Sequence, residues 1–374
     1  MWTPRRPSGD SLNVLVVGAG PAGVYFAYLA KRAHPDWHIR VVEQNPADAV
    51  FGFGLVFSDK ALEFLRADDP STYELITPQM ESWVDLTVVH RRTRVVIDGI
   101  GFSAIGRLHL LRLLRQQLAT VGITPQYERT VSDLEGYDLV VAADGANSFV
   151  RRSADFGTSI SYCANKFAWY GTRRAFATLT QTFIANEHGT FNAHHYRHAP
   201  DMSTFVVECD PATWERAGFA GMDEAPTMAY LERVFADTLQ GEPLASNRSI
   251  WRHFPNLRND RWSAGNRVLI GDAQRTAHFS IGSGTRLAME DAIALVKSLN
   301  QHRDVGEGLA AFEAVRRPIV EKLVAAADSS GGWYDRFPEH MNLSPRDFAW
   351  SYIQRSGRID LDRLARTSPI FART

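Results

Sequence analysis

Three glycine-bearing turns, far apart in the chain, share the chemistry of holding a phosphate-linked ligand. The first is Gly18-Ala19-Gly20-Pro21-Ala22-Gly23, between an apolar run at 13–18 and a helical pattern at 22–34. Its glycines allow a tight turn and a close backbone approach, and the helix start offers free N–H groups at the positive end of a dipole. Glu43, with Gln44 beside it, ends the next strand-like run at 38–43, where a carboxylate accepts from ribose hydroxyls. An acid there favours an unphosphorylated ribose. The second turn, Asp144-Gly145, closes the apolar run 137–143 and, taken alone, reads as a common turn former. The third, Gly271-Asp272, follows RVLI at 267–270. Asp272 could be a plain helix cap, but Ser280, Gly282, Gly284 and Thr285 follow it into a helical pattern at 285–300. Together the three turns read as a cradle around one large dinucleotide.

The elements that must position these turns are legible from periodicity. Buried-strand runs alternating with helices at 22–34 and 107–121 give a βαβ start, and residues 82–98 read as a hairpin. From 166 to 208 the chain is rich in Phe, Tyr, Trp, Thr and Val, the texture of a mostly antiparallel sheet, with a helix expected at 224–239. Helices are expected at 285–300 and 308–326, and the tail 331–374 packs as further helices. The expected fold is α/β: a Rossmann-like dinucleotide-binding domain with an inserted, mostly antiparallel sheet and C-terminal helices. The dinucleotide-binding part is discontinuous (12–81, 99–160 and 251–330), the substrate part comprises 82–98 and 161–250, and 331–374 is a C-terminal helical segment.

Composition narrows the class. The chain has 374 residues, is 45% hydrophobic and carries a net charge of −1, so it builds real cores and has no bulk field for nucleic acid or anionic lipid. The polar N-terminus lacks a signal-type apolar run, and no stretch approaches a membrane span, so a cytoplasmic protein is expected. Cys163 and Cys209 make neither a metal cluster nor a disulfide framework, and no metal is expected. Arg91, Arg92 and Arg94 form a charge run that reads as a solvated face, with phosphate binding as the alternative.

With these motifs in hand, the chain resembles the FAD-dependent aromatic hydroxylases typified by para-hydroxybenzoate hydroxylase, over nearly its whole length. The family's glycine turn falls on Gly18, Gly20 and Gly23, its ribose acid on Glu43, its Asp-Gly motif on Asp144-Gly145 and its Gly-Asp motif on Gly271-Asp272. An Arg that touches FAD in the family matches Arg107. The segments 51–65, 202–210 and 277–295 are similar to salicylyl-CoA 5-hydroxylases and to the monooxygenase half of 2-aminobenzoyl-CoA monooxygenase/reductase, and 169–172 also resembles a violacein-pathway hydroxylase. Arg275 stands where the usual loop has His, and Arg286 where it has Lys or Asn.

The resemblance implies FAD as cofactor, NADH or NADPH as a transiently docked reductant, and O₂ as co-substrate. It implies a small aromatic substrate, free or as a CoA thioester, on a monomer or homodimer. An indole metabolite, or flavin reduction without oxygen insertion, are the alternatives. The loop 277–284 would lie along the flavin, so His278 and Phe279 would border the reacting ring; a hydrogen-bonded loop histidine is the bland alternative for His278. On the sheet, only one of His194 and His195 can face a pocket. The expectation falls on His195, with Tyr170, though an ordinary sheet residue is the plainer reading of each.

Overall fold

The computed structural model describes residues 11–58 and 61–373. Most of the polar N-terminus, positions 59–60 of the 51–65 motif and residue 374 lie outside them. β1 (Asn13–Val17), the Pro21–Ala33 helix and β2 (His38–Val42) form the opening βαβ unit. β3 (Gly54–Ser58) and β4 (Glu81–Trp83) precede the hairpin of β5 (Leu86–His90) and β6 (Thr93–Ile97). β7 (Phe102–Gly106) runs directly into the Arg107–Thr120 helix, and β8 (Leu139–Ala142) leads to Asp144-Gly145. β9 (Thr158–Thr172), β10 (Leu179–Asn186), β11 (Gly189–Ala199) and β12 (Met202–Cys209) are long. β13 (Leu244–Ser246), β14 (Arg252–Asn259), β15 (Ser263–Ala264) and β16 (Arg267–Leu269) lead to the Gly284–Gln301 and Val305–Asp335 helices.

The fold is the α/β architecture expected. β1 sits between parallel partners β2 and β8, with β16 parallel outside β8. All three turns therefore leave the same end of one sheet. The Pro21–Ala33 helix, expected at 22–34, is buried on nearly every side. It packs against the Arg107–Thr120 and Gly284–Gln301 helices as well as the sheet, which removes the need for a polar face. Gly23 permits this packing: a Cβ there would overlap the carbonyl oxygen of Gly18.

The large sheet has the order β13-β9-β12-β11-β10-β5-β6, with β14 also on β9. Its pairs are antiparallel except β5 with β10, so the hairpin joins this sheet through one parallel contact. Pairing of β14 with β9 carries the sheet from Thr158 to Asn259. The register sets two faces. His195 aligns with Phe205 and Tyr170, while His194 aligns with Val206 and Trp169. The Tyr170 face builds a core with Phe191, Phe205, Leu231 and Phe235 under short helices. Those helices break the expected 224–239 element into Glu224–Val234 and Ala236–Leu239.

The helix expected to end near 326 continues to Asp335. Gly331 stays inside it because a Cβ at that position would sit 3.3 Å from the His278 ring, so the small residue serves packing rather than termination. Glu313 of this helix accepts from the Trp262 amide (3.0 Å), and Asp335 accepts from the amides of Asn165 (2.8 Å) and Ala164 (3.1 Å). The helix thus ties the parallel sheet to the large one. Among the described residues no helix is long and apolar enough to cross a membrane. Gly23→Ala is expected to destabilise the protein by about 2 kcal/mol or more through overpacking. Urea unfolding measures this, and an unchanged midpoint would contradict the packing role.

Candidate active site

A cavity of about 680 Å³ runs from the three turns to the large sheet. At its first end it is lined by Gly20, Pro21 and Ala22, then by Gly145, and by Gly271, Asp272, Gly282, Gly284 and Thr285. Residues 250 positions apart in sequence thus converge on one groove. Gly18 (φ +100°) lets the first turn press on the second, since a Cβ there would overlap the Ala143 carbonyl. A Cβ on Gly20 would meet nothing within 4 Å; it would project into open space where a ligand can approach the backbone.

Other sequence-expected residues take supporting positions. Glu43 accepts from the Ala19 amide (2.9 Å) through one oxygen, and from the Asn45 amide (2.9 Å) and Nδ2 (2.7 Å) through the other. The oxygen that accepts from Ala19 still has a lone pair for a ligand. Gln44 is exposed beyond the strand end. Asp144 accepts from the Phe149 amide (2.7 Å), as a turn former does, but its other oxygen is buried without a partner. Ser280 is not in the lining; its hydroxyl bonds His278 Nδ1 (2.8 Å) and Ser330 Oγ (2.7 Å).

Arg107 lines the middle of the cavity with its guanidinium 4.7 Å from the Trp169 ring centre. Arg107 Nε and Trp169 Nε1 are both buried and unpartnered. Asp272 reaches solvent through the cavity, and desolvation raises its pKa against the pull of Arg275 and Arg107. Uncommitted donors, a glycine cradle and a carboxylate in one groove fit a dinucleotide bearing a polar ring system.

Beyond Arg107 the cavity becomes an aromatic box. Phe279 lies 5.0 Å from Phe167, 5.7 Å from Trp169 and 5.9 Å from Phe254 by ring centres. Tyr196 and His194 complete it from β11. Tyr196 donates to the Gly54 carbonyl (3.0 Å), and burial pushes its phenol up to about 12.

Here three expected residues need correction. His195 and Tyr170 do not face this cavity. Strand alternation turns both to the opposite face, where His195 Nε2 pairs with Thr182 Oγ1 (2.9 Å) and the ring packs on Phe176 (4.0 Å). His194 is the histidine that faces the box. His278 is also absent from the lining: it is buried under Phe279, 4.4 Å away, and bonded to Ser280, the bland reading. Phe279 does line the cavity. Sequence reasoning missed Phe167 and Phe254, and parity with Trp169 along β9 is the signal that points to Phe167. Arg92 and Arg94 border a separate cavity of about 520 Å³ on the far face of the sheet. Among the described residues no group of three or more His, Cys, Asp or Glu could hold a metal.

Behind the box a polar network joins the sheet to the long helix. Tyr334 donates to Gln181 Oε1 (2.9 Å), and Asn165 Nδ2 donates to Glu208 Oε1 (2.9 Å) and to the Tyr334 carbonyl (2.7 Å). Burial pushes the Glu208 carboxyl up to about 8, from an ordinary 4.5. The folded state then keeps a proton that the unfolded chain releases, so stability is lost as pH rises through that window. Glu208→Gln keeps the acceptor for Asn165. It is expected to raise the melting temperature over wild type at about pH 8 and to change it little at about pH 5. An equal effect at both would contradict a buried, proton-holding Glu208.

Comparison with known proteins agrees with this geometry. Residues 119–327 match the family model described as an FAD binding domain. The chain is 39% identical to a salicyloyl-CoA 5-hydroxylase of a Streptomyces species, over 92% of this chain and 70% of that protein. It is 38% identical to a 3-hydroxy-4-methyl-anthranilyl-[aryl-carrier protein] 5-monooxygenase of Streptosporangium sibiricum, over 88% and 90%. Its fold matches that of 2-methyl-3-hydroxypyridine-5-carboxylic acid oxygenase, with a TM-score of 0.71 at 16% identity over 97% of this chain and 98% of the other. A glycine cradle opening onto an aromatic box, in a chain with these relatives, leads to one assignment: the protein belongs to the FAD-dependent aromatic monooxygenases.

Proposed function

We propose that the protein uses NADH or NADPH and O₂ to hydroxylate an aryl thioester of the 2-hydroxybenzoyl (salicylyl-CoA) type, at the carbon para to the ring hydroxyl. The observation that carries this reading is the continuity of the cavity: the turns and the aromatic box share one space, so a ring in the box abuts whatever the turns hold. Residues 12–81, 99–160 and 251–330 would then serve the flavin, and the large sheet the substrate. Two relatives act on aryl groups carried as thioesters, by their names. The cavity mouth has room and chemistry for a long acyl carrier: Ile160 and Tyr162 are exposed apolar surface there, and Arg252 supplies a cation for phosphate.

When bound, reduced FAD supplies oxygen activation. Gly20, Gly145, Asp272, Gly282, Gly284 and Arg107 would hold it, with Glu43 behind the first turn on the ribose. Phe167, Trp169 and Phe279 orient the substrate ring by stacking and exclude water from the reacting face. Tyr196, with its proton on Gly54, shapes the wall.

Two measurements test the proposal. The purified protein should release FAD on denaturation. It should oxidise NADH or NADPH faster with salicylyl-CoA or 2-aminobenzoyl-CoA, forming a product heavier by one oxygen atom. Stimulation by salicylate or tryptophan but by neither thioester would sink the thioester reading. Glu43→Ala is expected to weaken FAD affinity on the order of tenfold, the loss of one charge-assisted hydrogen bond. Unchanged flavin retention in dialysis would remove Glu43 from the ribose site.

A further inference from the structure

We propose that His194 is the residue that recognises the ring hydroxyl or amino group of the substrate, by accepting its hydrogen bond. This rests on the aromatic-monooxygenase reading above and names the group that selects the ring. His194 is 4% exposed, and both of its imidazole nitrogens are sealed from bulk water without a hydrogen-bond partner. Buried polar atoms are almost always paired, so two orphans on one side chain facing a cavity mark a place kept for a ligand.

The neighbouring residues make no bond to either nitrogen. Along β11, His194 lies between Val206 of β12 and Gln181 of β10. Val206 has no polar group to offer. The Gln181 carbonyl oxygen already accepts from Tyr334 and Asn192, and its Nε2, itself without a partner, makes no bond to His194. Tyr196, two residues on, has given its proton to Gly54. The next residue makes the contrast: on the opposite face, His195 bonds Thr182. Only the histidine in the box is left without a bond.

The charge state fits an acceptor. Burial, with Arg355 and His278 nearby, lowers the His194 pKa to about 3, so the imidazole is neutral and carries one bare nitrogen and one N–H. Beside the box, the orphans Arg107 Nε and Trp169 Nε1 are donors only. Besides His194, the one orphan among the described lining residues that can also accept, Ser283 Oγ, sits at the start of the Gly284–Gln301 helix rather than on the sheet. A ring hydroxyl or amino group needs an acceptor, and His194 supplies it between aromatic walls. An accepted hydrogen bond leaves electron density on the substituent and on the carbon para to it, the position that electrophilic oxygen insertion attacks. A ring without that substituent would leave the nitrogen unpaired and would be bound less well.

The test compares salicylyl-CoA with benzoyl-CoA, which lacks the hydroxyl, on anaerobic FAD-loaded enzyme by flavin absorbance titration. Wild type should prefer the hydroxylated ring by about tenfold or more. In His194→Leu the preference should fall to about one, with benzoyl-CoA affinity held within about twofold. Flavin content should be unchanged and the melting temperature equal or higher, because a buried unpaired group has been removed. A variant that keeps the wild-type preference overturns the proposal, as does a wild type that binds both rings alike. His194→Phe repeats the comparison if the Leu variant loses its flavin. If wild type binds neither thioester, the thioester reading fails instead, and the ratio for 2-hydroxybenzoate over benzoate tests His194 independently.

Discussion

The Asp291 carboxylate, fully buried in the Gly284–Gln301 helix, is the constraint on which the cradle depends. It accepts from the Gly271 amide (3.3 Å) and pairs with Arg275 (2.6 Å) and Arg316 (3.0 Å). Arg275 in turn donates to the Gly271 carbonyl (3.0 Å). Both polar groups of Gly271 are thereby held by one ion cluster, and the turn cannot shift relative to the helix whose start borders the cavity. Such clusters contribute little net stability, because desolvation offsets attraction, but they fix geometry, and losing one partner strands a buried charge. The two departures from the family pattern belong here. Arg275 is a member, and Arg286 pairs with Glu290, which also binds Arg316. Both residues thus belong to the charge cluster that fixes the turn to the helix.

The second constraint is the pleat of the large sheet. One face is packed on short helices and the other walls the cavity, so the central strands β11 and β12 are buried on both sides. That double burial explains the run of aromatic residues from 166 to 208. Behind the box it leaves room for a polar network in which Tyr334 donates to Gln181 and Asn165 donates to Glu208 and to the Tyr334 carbonyl. His194, with neither nitrogen bonded, sits where the network gives way to the cavity.

What could be read from the chain follows the same physics. The glycine turns, their strands and the helices after them were legible, because short-range chemistry dictates them. The three turns could be grouped because each ends a buried strand run. The pairing of His194 and His195 with opposite faces was also legible, but not which of them meets the cavity. A one-residue slip exchanges the two, and with both faces apolar the flanking residues give no direction. The position of Tyr170 was lost for the same reason. His278 and Ser280 could not be separated from the lining by sequence, because their fate depends on Ser330 and Gly331, some 50 residues away, closing over them. The length of the last long helix was not legible, because Gly331 is kept inside it by the approach of the His278 ring, a contact between distant residues.

That helix has a mechanical meaning. At about 1.5 Å per residue its 31 residues span roughly 46 Å, and its side chains are fastened to the parallel sheet at one end and the large sheet at the other. It behaves as a strut. Two halves joined by a strut do not open and close about each other like a clamshell, so access to the cavity is left to loops and side chains at its mouth. The compliance available to the strut is concentrated near Pro318, where a backbone donor is missing; flexing there would tilt one sheet against the other without changing their separation.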